Sequence, residues 1–185
     1  MADSGDTNGI GQRVKALRRE RGFKSPRDLA AAIPGGNVTM AVLENLESGR
    51  KADVSVSHLL NIARALHVPP SYLLASVATP DASLDLPNLG DDFADMTAGE
   101  FDAWFSGTLG GDYRSTDPSE RVSLMQLQAY RTLSRLTREL VRLSAIQDSR
   151  PDAEQPSEDS RLSALQAEIA ELTDYLKNAG WTLSS

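Results

Sequence analysis

The chain has 185 residues, a formal net charge of −7 and only 5 % aromatic residues. This length suits one ordinary domain or two small ones, and so few aromatic residues argue against a single large core. The sequence contains no cysteine, which excludes a disulfide scaffold and every thiolate metal site. Residues 1–9 are polar and predicted to be disordered, and no apolar run approaches membrane-spanning length. These features favour a cytoplasmic protein over a secreted or membrane-spanning one.

Charge is distributed unevenly along the chain. Residues 1–75 hold ten Lys and Arg against seven Asp and Glu, whereas residues 76–116 hold one Arg against eight acids. Residues 117–185 hold eight basic and eleven acidic residues. A mildly basic head on an acidic body is typical of a nucleic-acid-binding module joined to a region that does not touch nucleic acid. The acidic total does not argue against DNA binding, because phosphates respond first to the local patch.

Residues 10–76 are predicted to form a compact all-α domain of five short helices. The first helix shows apolar residues at helical spacing and ends near Gly22. Ser25 and Pro26 supply the N-cap and first position of the second helix, which the segment 34–36 ends.

Thr39 is predicted to cap a third helix within residues 38–48. Its apolar side consists of Val42, Leu43 and Leu46. Ser57 is predicted to cap a fourth helix, and "PPSYLLA" adds a last short turn. The inward residues of the fourth helix are predicted to be Leu59, Leu60, Ala63 and Leu66.

Residues 77–116 are rich in Asp, Gly and Pro and are interpreted as an acidic linker containing one short helix. Thr97 and Glu100 form a capping box ahead of an aromatic face of Phe101, Trp104 and Phe105. The simpler interpretation is that this face packs on a neighbouring core. The alternative is a protein-binding site within residues 85–105.

Residues 117–185 are predicted to form a helical dimerisation region, either a helical hairpin or a coiled coil. Its apolar residues recur in steps of three and four, separated by a polar connection at 148–160. They are Leu133, Leu136, Leu140 and Leu143 in one helix, and Leu162, Leu165, Ile169, Leu172 and Leu176 in the other. The second series spans barely three heptads, so it must pack on the first helix, on a partner chain or on both.

The stretch "PGGNVTMAVLENLESGRK" is compatible at first sight with a phosphate-binding loop or with a turn that presents a helix. A phosphate loop needs a preceding strand and a Lys-Ser/Thr pair, and both are missing here. The outward side of the third helix carries small, amide and flexible apolar side chains: Met40, Ala41, Glu44, Asn45 and Ser48. Such a face suits the major groove of DNA, where Asn bonds adenine and methyl groups meet thymine.

Basic side chains flank this helix on both sides. Arg50 and Lys51 follow it immediately, where backbone phosphates would lie. Arg27 lies in the first turn of the preceding helix, where exposed amide groups also favour phosphate.

Three segments carry a family resemblance: "IGQRVKALRRERGFKSPRDLA", "VTMAVLENLESGRK" and "VSHLLNIARALHVPPSYLL". Residues 10–75 resemble the lambda-repressor/Cro-like, or xenobiotic-response-element type, family of helix-turn-helix transcriptional regulators. The resemblance implies a five-helix DNA-binding domain whose third helix contacts the major groove. Residues placed at base edges are Met40, Ala41 and Asn45, with Glu44 near them. Residues placed at phosphates are Ser25, Thr39, Ser48, Arg50 and Lys51, together with Arg27.

The resemblance also implies a structural ion pair between Arg18 and Glu47. Two positions depart from the family pattern. The turn "IPGGNV" is about three residues longer than usual, and Pro26 replaces a frequent glutamine, which removes one side-chain donor to DNA.

Catalytic and metal-binding motifs are absent from the sequence. His58 and His67 have no Ser or carboxylate partner at a motif spacing, and Asp91, Asp92 and Asp95 lack the EF-hand pattern. We therefore expect neither an enzyme nor a cofactor nor a metal site.

The favoured hypothesis is a dimeric, sequence-specific repressor of bacterial or phage type that binds double-stranded DNA at the nucleoid. The alternative is a protein-binding adaptor, such as an antitoxin or a partner of the transcription machinery. It would use the acidic-aromatic segment and the C-terminal helices.

Overall fold

The computed structural model describes residues 9–109, 111–148 and 156–183. Their regular elements are helices, apart from one isolated antiparallel bridge between Ser83 and Thr97. The predicted all-α class is therefore confirmed over these ranges. The chain forms two compact units. The first comprises the described residues up to Ser106 with Gly111–Tyr113, and the second comprises residues 107–109 and the described residues from Arg114 onward.

Several expectations lie outside these ranges. The predicted disorder of residues 1–9 concerns residues that are not described, apart from Gly9. Most of the predicted flexible connection at 148–160 is likewise outside the described residues. Within those residues no helix is both long and apolar enough to cross a membrane.

Five helices build the first part of the first unit. They are α1 (Ile10–Glu20), α2 (Pro26–Ala32), α3 (Met40–Glu47), α4 (Val56–Leu66) and α5 (Ser71–Leu74). Each helix contributes buried side chains to one apolar core, because its apolar residues recur at helical spacing. The fully buried members are Val14, Leu29, Val38, Leu43, Ile62, Leu66 and Leu73.

Two details of α4 differ from the sequence prediction. Ser55, not Ser57, caps the helix, and its hydroxyl accepts a hydrogen bond from the amide of His58 at 3.3 Å. Leu60 was predicted to point inward but is 49 % exposed. The buried stripe is Leu59, Ile62, Ala63 and Leu66, and residue 60 lies about 100° away from it on the helix.

Residues 77–106, interpreted from the sequence as most of a linker, lie in the same compact unit as α1–α5. They contain a 3-10 turn (Asp91–Phe93) and α6 (Ala98–Ser106). The expected capping box opens α6, with the amide of Thr97 donating to Glu100 and the amide of Glu100 donating to Thr97. A second apolar cluster of Ala75, Ala98 and Phe101 forms around this helix. Because Leu86 contacts both clusters, the segment extends the core.

A buried arginine joins α1 to this segment. Arg13 is only 5 % exposed, and its Nη1 donates to both carboxylate oxygens of Asp85 at 2.8 and 2.7 Å. Its Nε and Nη2 donate to the carbonyl oxygens of Leu73 and Leu74 at 2.9 and 2.8 Å. The amide of Gly9 also donates to Asp85. Asp85 thus ties the start of α1 and the end of α5 to the acidic segment.

The second unit is a hairpin of α7 (Pro118–Asp148) and α8 (Pro156–Asn178). Asp117 caps α7, since its carboxylate accepts the amides of Ser119 and Glu120 at 2.7 and 2.9 Å. These hydrogen bonds lower the pKa of Asp117. Arg161 pairs with Glu139, and Trp181 contacts Tyr130, so the helices run antiparallel.

The apolar residues assigned to dimerisation lie largely along this hairpin. Leu136, Leu165 and Leu176 are buried within the single chain. The remaining six, Leu133, Leu140, Leu143, Leu162, Ile169 and Leu172, are partly buried. The contact between α7 and α8 accounts for the burial of the first three, which therefore does not require a second copy.

The link through Asp85 predicts a pH-dependent stability of the first unit. Burial alone would raise the pKa of Asp85, but hydrogen bonds from Arg13 and Gly9 outweigh it and hold the pKa below its usual range. We expect Asp85→Asn to lower the free energy of unfolding by about 1.5–3 kcal/mol at neutral pH, because Arg13 loses its charged partner. A carboxylate with a depressed folded pKa stabilises fully above its unfolded pKa, about 4. That contribution is lost as the pH falls through the folded value.

Urea unfolding across a pH series, followed by Trp104 fluorescence in a Trp181→Phe background, measures this difference. The curves of Asp85→Asn and its parent should converge at acid pH. Asp81→Asn, at an exposed acid of the same segment, is the matched control. A difference that stays constant from neutral to acid pH would contradict the assigned role of Asp85.

Candidate nucleic-acid interface

At the start of α2, a capping box is fully hydrogen-bonded, and polar donor groups lie beside it. The Ser25 hydroxyl accepts the amide of Asp28 at 3.2 Å, and Asp28 accepts the amide of Ser25 at 2.8 Å. This reciprocal bonding, led by the Ser25 amide, lowers the pKa of Asp28. Because the Ser25 oxygen accepts this hydrogen bond, its hydroxyl hydrogen can still donate, which suits a phosphate oxygen. Arg27 follows in the first turn and is exposed.

The long turn between α2 and α3 is held at defined points. Gly35 and Gly36 have φ values of 87° and 67°, a left-handed conformation that favours glycine. Val38 is only 2 % exposed and anchors the end of the turn in the core. Asn37 accepts a hydrogen bond from Asn61 of α4 at 3.2 Å. The long turn therefore has a defined conformation where it leads into α3.

Helix α3 divides its side chains between the core and solvent. Thr39 caps it, accepting the amide of Val42 at 3.3 Å. Leu43, Leu46 and Glu47 are buried. The four residues assigned to base edges comprise three exposed ones, Met40, Ala41 and Glu44, and the half-buried Asn45. Met40 is 43 % exposed, although methionine is normally a core residue.

The exit from α3 is built from short hydrogen-bonded steps. The Ser48 hydroxyl donates to the carbonyl of Asn45 at 3.2 Å and accepts from Arg50 Nε at 3.1 Å. The amide of Lys51 also donates to the Asn45 carbonyl at 3.1 Å. Ser48, Arg50 and Lys51 are exposed. Two cations are thus kept immediately beside the exposed face of α3.

A buried ion pair fixes α3 against α1. Arg18 Nε and Nη2 donate to the two carboxylate oxygens of Glu47 at 2.6 and 2.8 Å, and Nη1 donates to the Phe23 carbonyl at 2.7 Å. Arg18 is 3 % exposed and Glu47 is 7 % exposed. The hydrogen bond that Arg18 donates to Glu47 raises the pKa of Arg18 despite its burial. The pair that the resemblance implies is therefore present as a bidentate, desolvated contact.

The two helices approach each other closely at Gly11. A methyl group placed on Gly11 would lie 1.9 Å from the carbonyl oxygen of Leu46 and 2.8 Å from its carbonyl carbon. The side chain of Gln12 donates to the carbonyl of Glu47 at 3.3 Å. Glycine at position 11 lets the backbone of α1 lie directly against the last turn of α3.

Three of these structural residues were not found by sequence reasoning. Arg13 lies on the apolar stripe of α1, three residues after Ile10 and one before Val14, and this position is a usable signal of a buried arginine. Asp85 could not be found in this way because it pairs across 72 residues. Gly11 has no local turn to explain it, and that is itself a signal of close helix packing.

The two histidines and the three acids at 91–95 do not form one cluster in the described part of the chain. His58 is half-buried and His67 is exposed at the end of α4, where it adopts a φ of 55°. Over the ranges that the structure describes, no group of three or more His, Asp or Glu side chains could hold a metal ion. Asp91, Asp92 and Asp95 are exposed.

Comparisons with protein-family models, with curated proteins and with solved structures found no match. The geometry of α1–α3 is therefore the principal basis for a functional proposal.

The contact at Gly11 generates a stability prediction for the placement of α3. Gly11→Ala should destabilise the first unit by about 1–3 kcal/mol or more, because the methyl group can be accommodated only if α1 and α3 separate. Thermal unfolding followed by Trp104 fluorescence, again in the Trp181→Phe background, measures this loss. Gly90→Ala is the matched control, since Gly90 has a φ of −71° and no atom within 4 Å of the added methyl group. Equal melting temperatures for Gly11→Ala and the parent would show that the helices do not touch there.

Proposed function

We propose that this protein is a sequence-specific double-stranded DNA-binding repressor of the lambda-repressor-like, helix-turn-helix type, with α3 in the major groove. The observation that carries the proposal is the division of α3. One side is fixed to α1 by the Gly11 contact and the Arg18–Glu47 pair, while the other presents Met40, Ala41 and Glu44 to solvent. Rigid placement of a short helix whose outward side chains are accessible is what base contact requires.

The chemistry around α3 supports phosphate contact. Ser25 and Thr39 both use their oxygens as acceptors of helix amides, so each hydroxyl hydrogen remains available to donate. Phosphate oxygens only accept hydrogen bonds. Arg27, Arg50 and Lys51 add exposed positive charge beside the same helix. The half-buried amide of Asn45 suits bidentate contact with adenine, and Glu44 suits the amino group of cytosine.

Selection from a randomised duplex pool tests the proposal, because the pool contains every short candidate operator. We expect recovery of a preferred sequence whose affinity falls steeply with salt. Asn45→Ala should cost roughly 1–3 kcal/mol at one base pair and relax specificity there. Lys51→Ala should weaken all duplexes about equally and reduce the salt slope by about one unit.

Asn178→Ala, at the end of α8, is the matched amide control and should leave DNA affinity unchanged. Unchanged specificity in Asn45→Ala would mean that α3 does not contact bases. The absence of salt-sensitive binding to any duplex would remove the DNA-binding proposal altogether.

We further propose that the second unit makes the repressor a homodimer. A small helix-turn-helix unit buries little DNA surface, and two copies double it while fixing the spacing of the half-sites. The support is that α7 keeps large apolar side chains at least 40 % exposed after its own hairpin has formed. They are Val122, Met125, Val141 and Ile146.

Light scattering tests the dimer. The full chain has a mass of 20.0 kDa, and at micromolar concentration it should scatter as twice that mass. A truncation after residue 116 should scatter as a single chain. A monomeric full chain, or a truncation that dimerises equally well, would contradict dimerisation through α7 and α8.

The second candidate function is a protein-binding adaptor, and one observation favours it. Phe105 is 47 % exposed while stacked on Phe101 at 5.6 Å between ring centres, beside a segment rich in exposed acids. An exposed aromatic ring among carboxylates suits a basic protein partner. Retention of DNA binding after Phe105→Ser would show that this surface is not part of the DNA contact.

A further inference from the structure

A groove of about 540 Å³ lies along the hairpin between α7 and α8. Its α7 side is formed by Tyr130, Leu133, Ser134 and Thr137, and its α8 side by Ile169, Thr173 and Lys177. Two antiparallel helices in contact usually leave only shallow surface furrows. A groove of this volume is within the range of small-molecule sites.

The segment that follows α8 forms a further side of this groove. The amides of Gly180 and Trp181 donate to the carbonyls of Lys177 and Leu176 at 2.9 and 3.0 Å, and Gly180 has a φ of 87°. This is the hydrogen-bond pattern of a Schellman cap, which turns the chain sharply back at the end of α8. Thr182 and Leu183 then line the groove as a further wall.

Trp181 holds the segment that follows α8 in place. Its indole ring stacks on Tyr130 at 5.4 Å with 29° between the ring planes. Its Nε1 donates to the Gln126 side chain at 3.1 Å. Because a stack and a hydrogen bond to α7 fix Trp181, the segment after α8 is held at the side of the groove.

The lining has a definite chemistry. Leu133, Ile169 and Leu183 contribute apolar surface to the groove, and both helices contribute hydroxyl-bearing residues. Among the residues that line the groove as described, Lys177 is the cation and carboxylates are absent. Lys177 makes no ion pair with any residue in the described part of the chain. A lining of apolar and hydroxyl-bearing residues with one ammonium group matches a molecule with an apolar body and a single negative charge.

We propose that this groove binds a small organic carboxylate, with its apolar part on Leu133 and Ile169 and its carboxylate on Lys177. Charge-assisted hydrogen bonds are the strong polar contacts in such sites. The hydroxyls of Ser134 and Thr173 lie on the two walls, so they are available to orient the carboxylate. The proposal does not depend on DNA binding by the first unit.

Isothermal titration of the full chain without DNA tests the proposal, with octanoate as the probe and 1-octanol as its neutral counterpart. We expect octanoate to bind at one site per chain and octanol to bind much more weakly. Lys177→Met should weaken octanoate binding by roughly tenfold or more. Thr173→Phe, which fills the groove, should abolish it.

Matched controls separate the groove from general surface effects. Lys24→Met removes the same charge at an exposed position of the first unit, and Ala167→Phe adds the same ring at an exposed position of α8 outside the groove. Both should bind octanoate as the parent does. Because Lys177 is exposed, its substitution tests the contact without disturbing the core, and melting curves verify that each variant is folded.

Three results would overturn the proposal. The first is the absence of saturable octanoate binding, and the second is equal affinity for octanol. The third is a Thr173→Phe variant that shifts the monomer–dimer equilibrium while octanoate binding persists. That result would assign the groove to contact with a second copy of the chain.

Discussion

The architecture of the first unit depends on the close crossing of α1 and α3. At Gly11 the backbone of α1 lies against the Leu46 carbonyl, and a few residues further along α1 the guanidinium of Arg18 binds both oxygens of Glu47. A steric contact alone would leave the crossing angle free to vary, and an ion pair alone would tolerate sliding. Together they define both the distance and the register of the two helices. The exposed face of α3 is consequently directed by residues that lie outside that face.

Both buried arginines of α1 incur a large desolvation cost, which favourable geometry has to offset. Hydrogen bonds to Glu47 and the Phe23 carbonyl offset the desolvation cost of Arg18. Hydrogen bonds to Asp85 and the carbonyls of Leu73 and Leu74 offset that of Arg13. In the described residues no buried side-chain nitrogen or oxygen lacks a hydrogen-bond partner. Hydrogen bonds are directional. Each buried arginine can therefore make all of its hydrogen bonds in only one arrangement of its partners. These pairs specify where α3 and the acidic segment are placed, more than they add net stability.

Sequence reasoning recovered what depends on local chemistry. The caps at Ser25, Thr39 and Thr97 follow from short-range hydrogen bonds, and the helical periods follow from burial of one face. It failed where two nearby residues can both cap a helix. Ser55 and Ser57 lie two residues apart and can each accept a helix amide, and Ser55 is the cap. It also failed where the cause is distant. The partner of Arg13 lies 72 residues away, and low apolar content made the segment around Asp85 resemble a linker.

That segment shows why acidity is a poor guide to packing. Residues 77–106 contribute few large apolar side chains, yet Leu84, Leu86, Met96 and Phe101 are enough to cover Ala75 and Leu74 at the edge of the first core. Four of its seven carboxylates are exposed, Glu100 and Asp102 are half-buried, and Arg13 neutralises the seventh, Asp85. The first unit therefore carries exposed cations beside α3 and exposed acids beyond α5, within one compact body. If α3 binds DNA, the acids must face away from the phosphates, since like charges would repel at close range. Asp85 is then an orienting residue, because it ties the acidic segment to the buried side of α1.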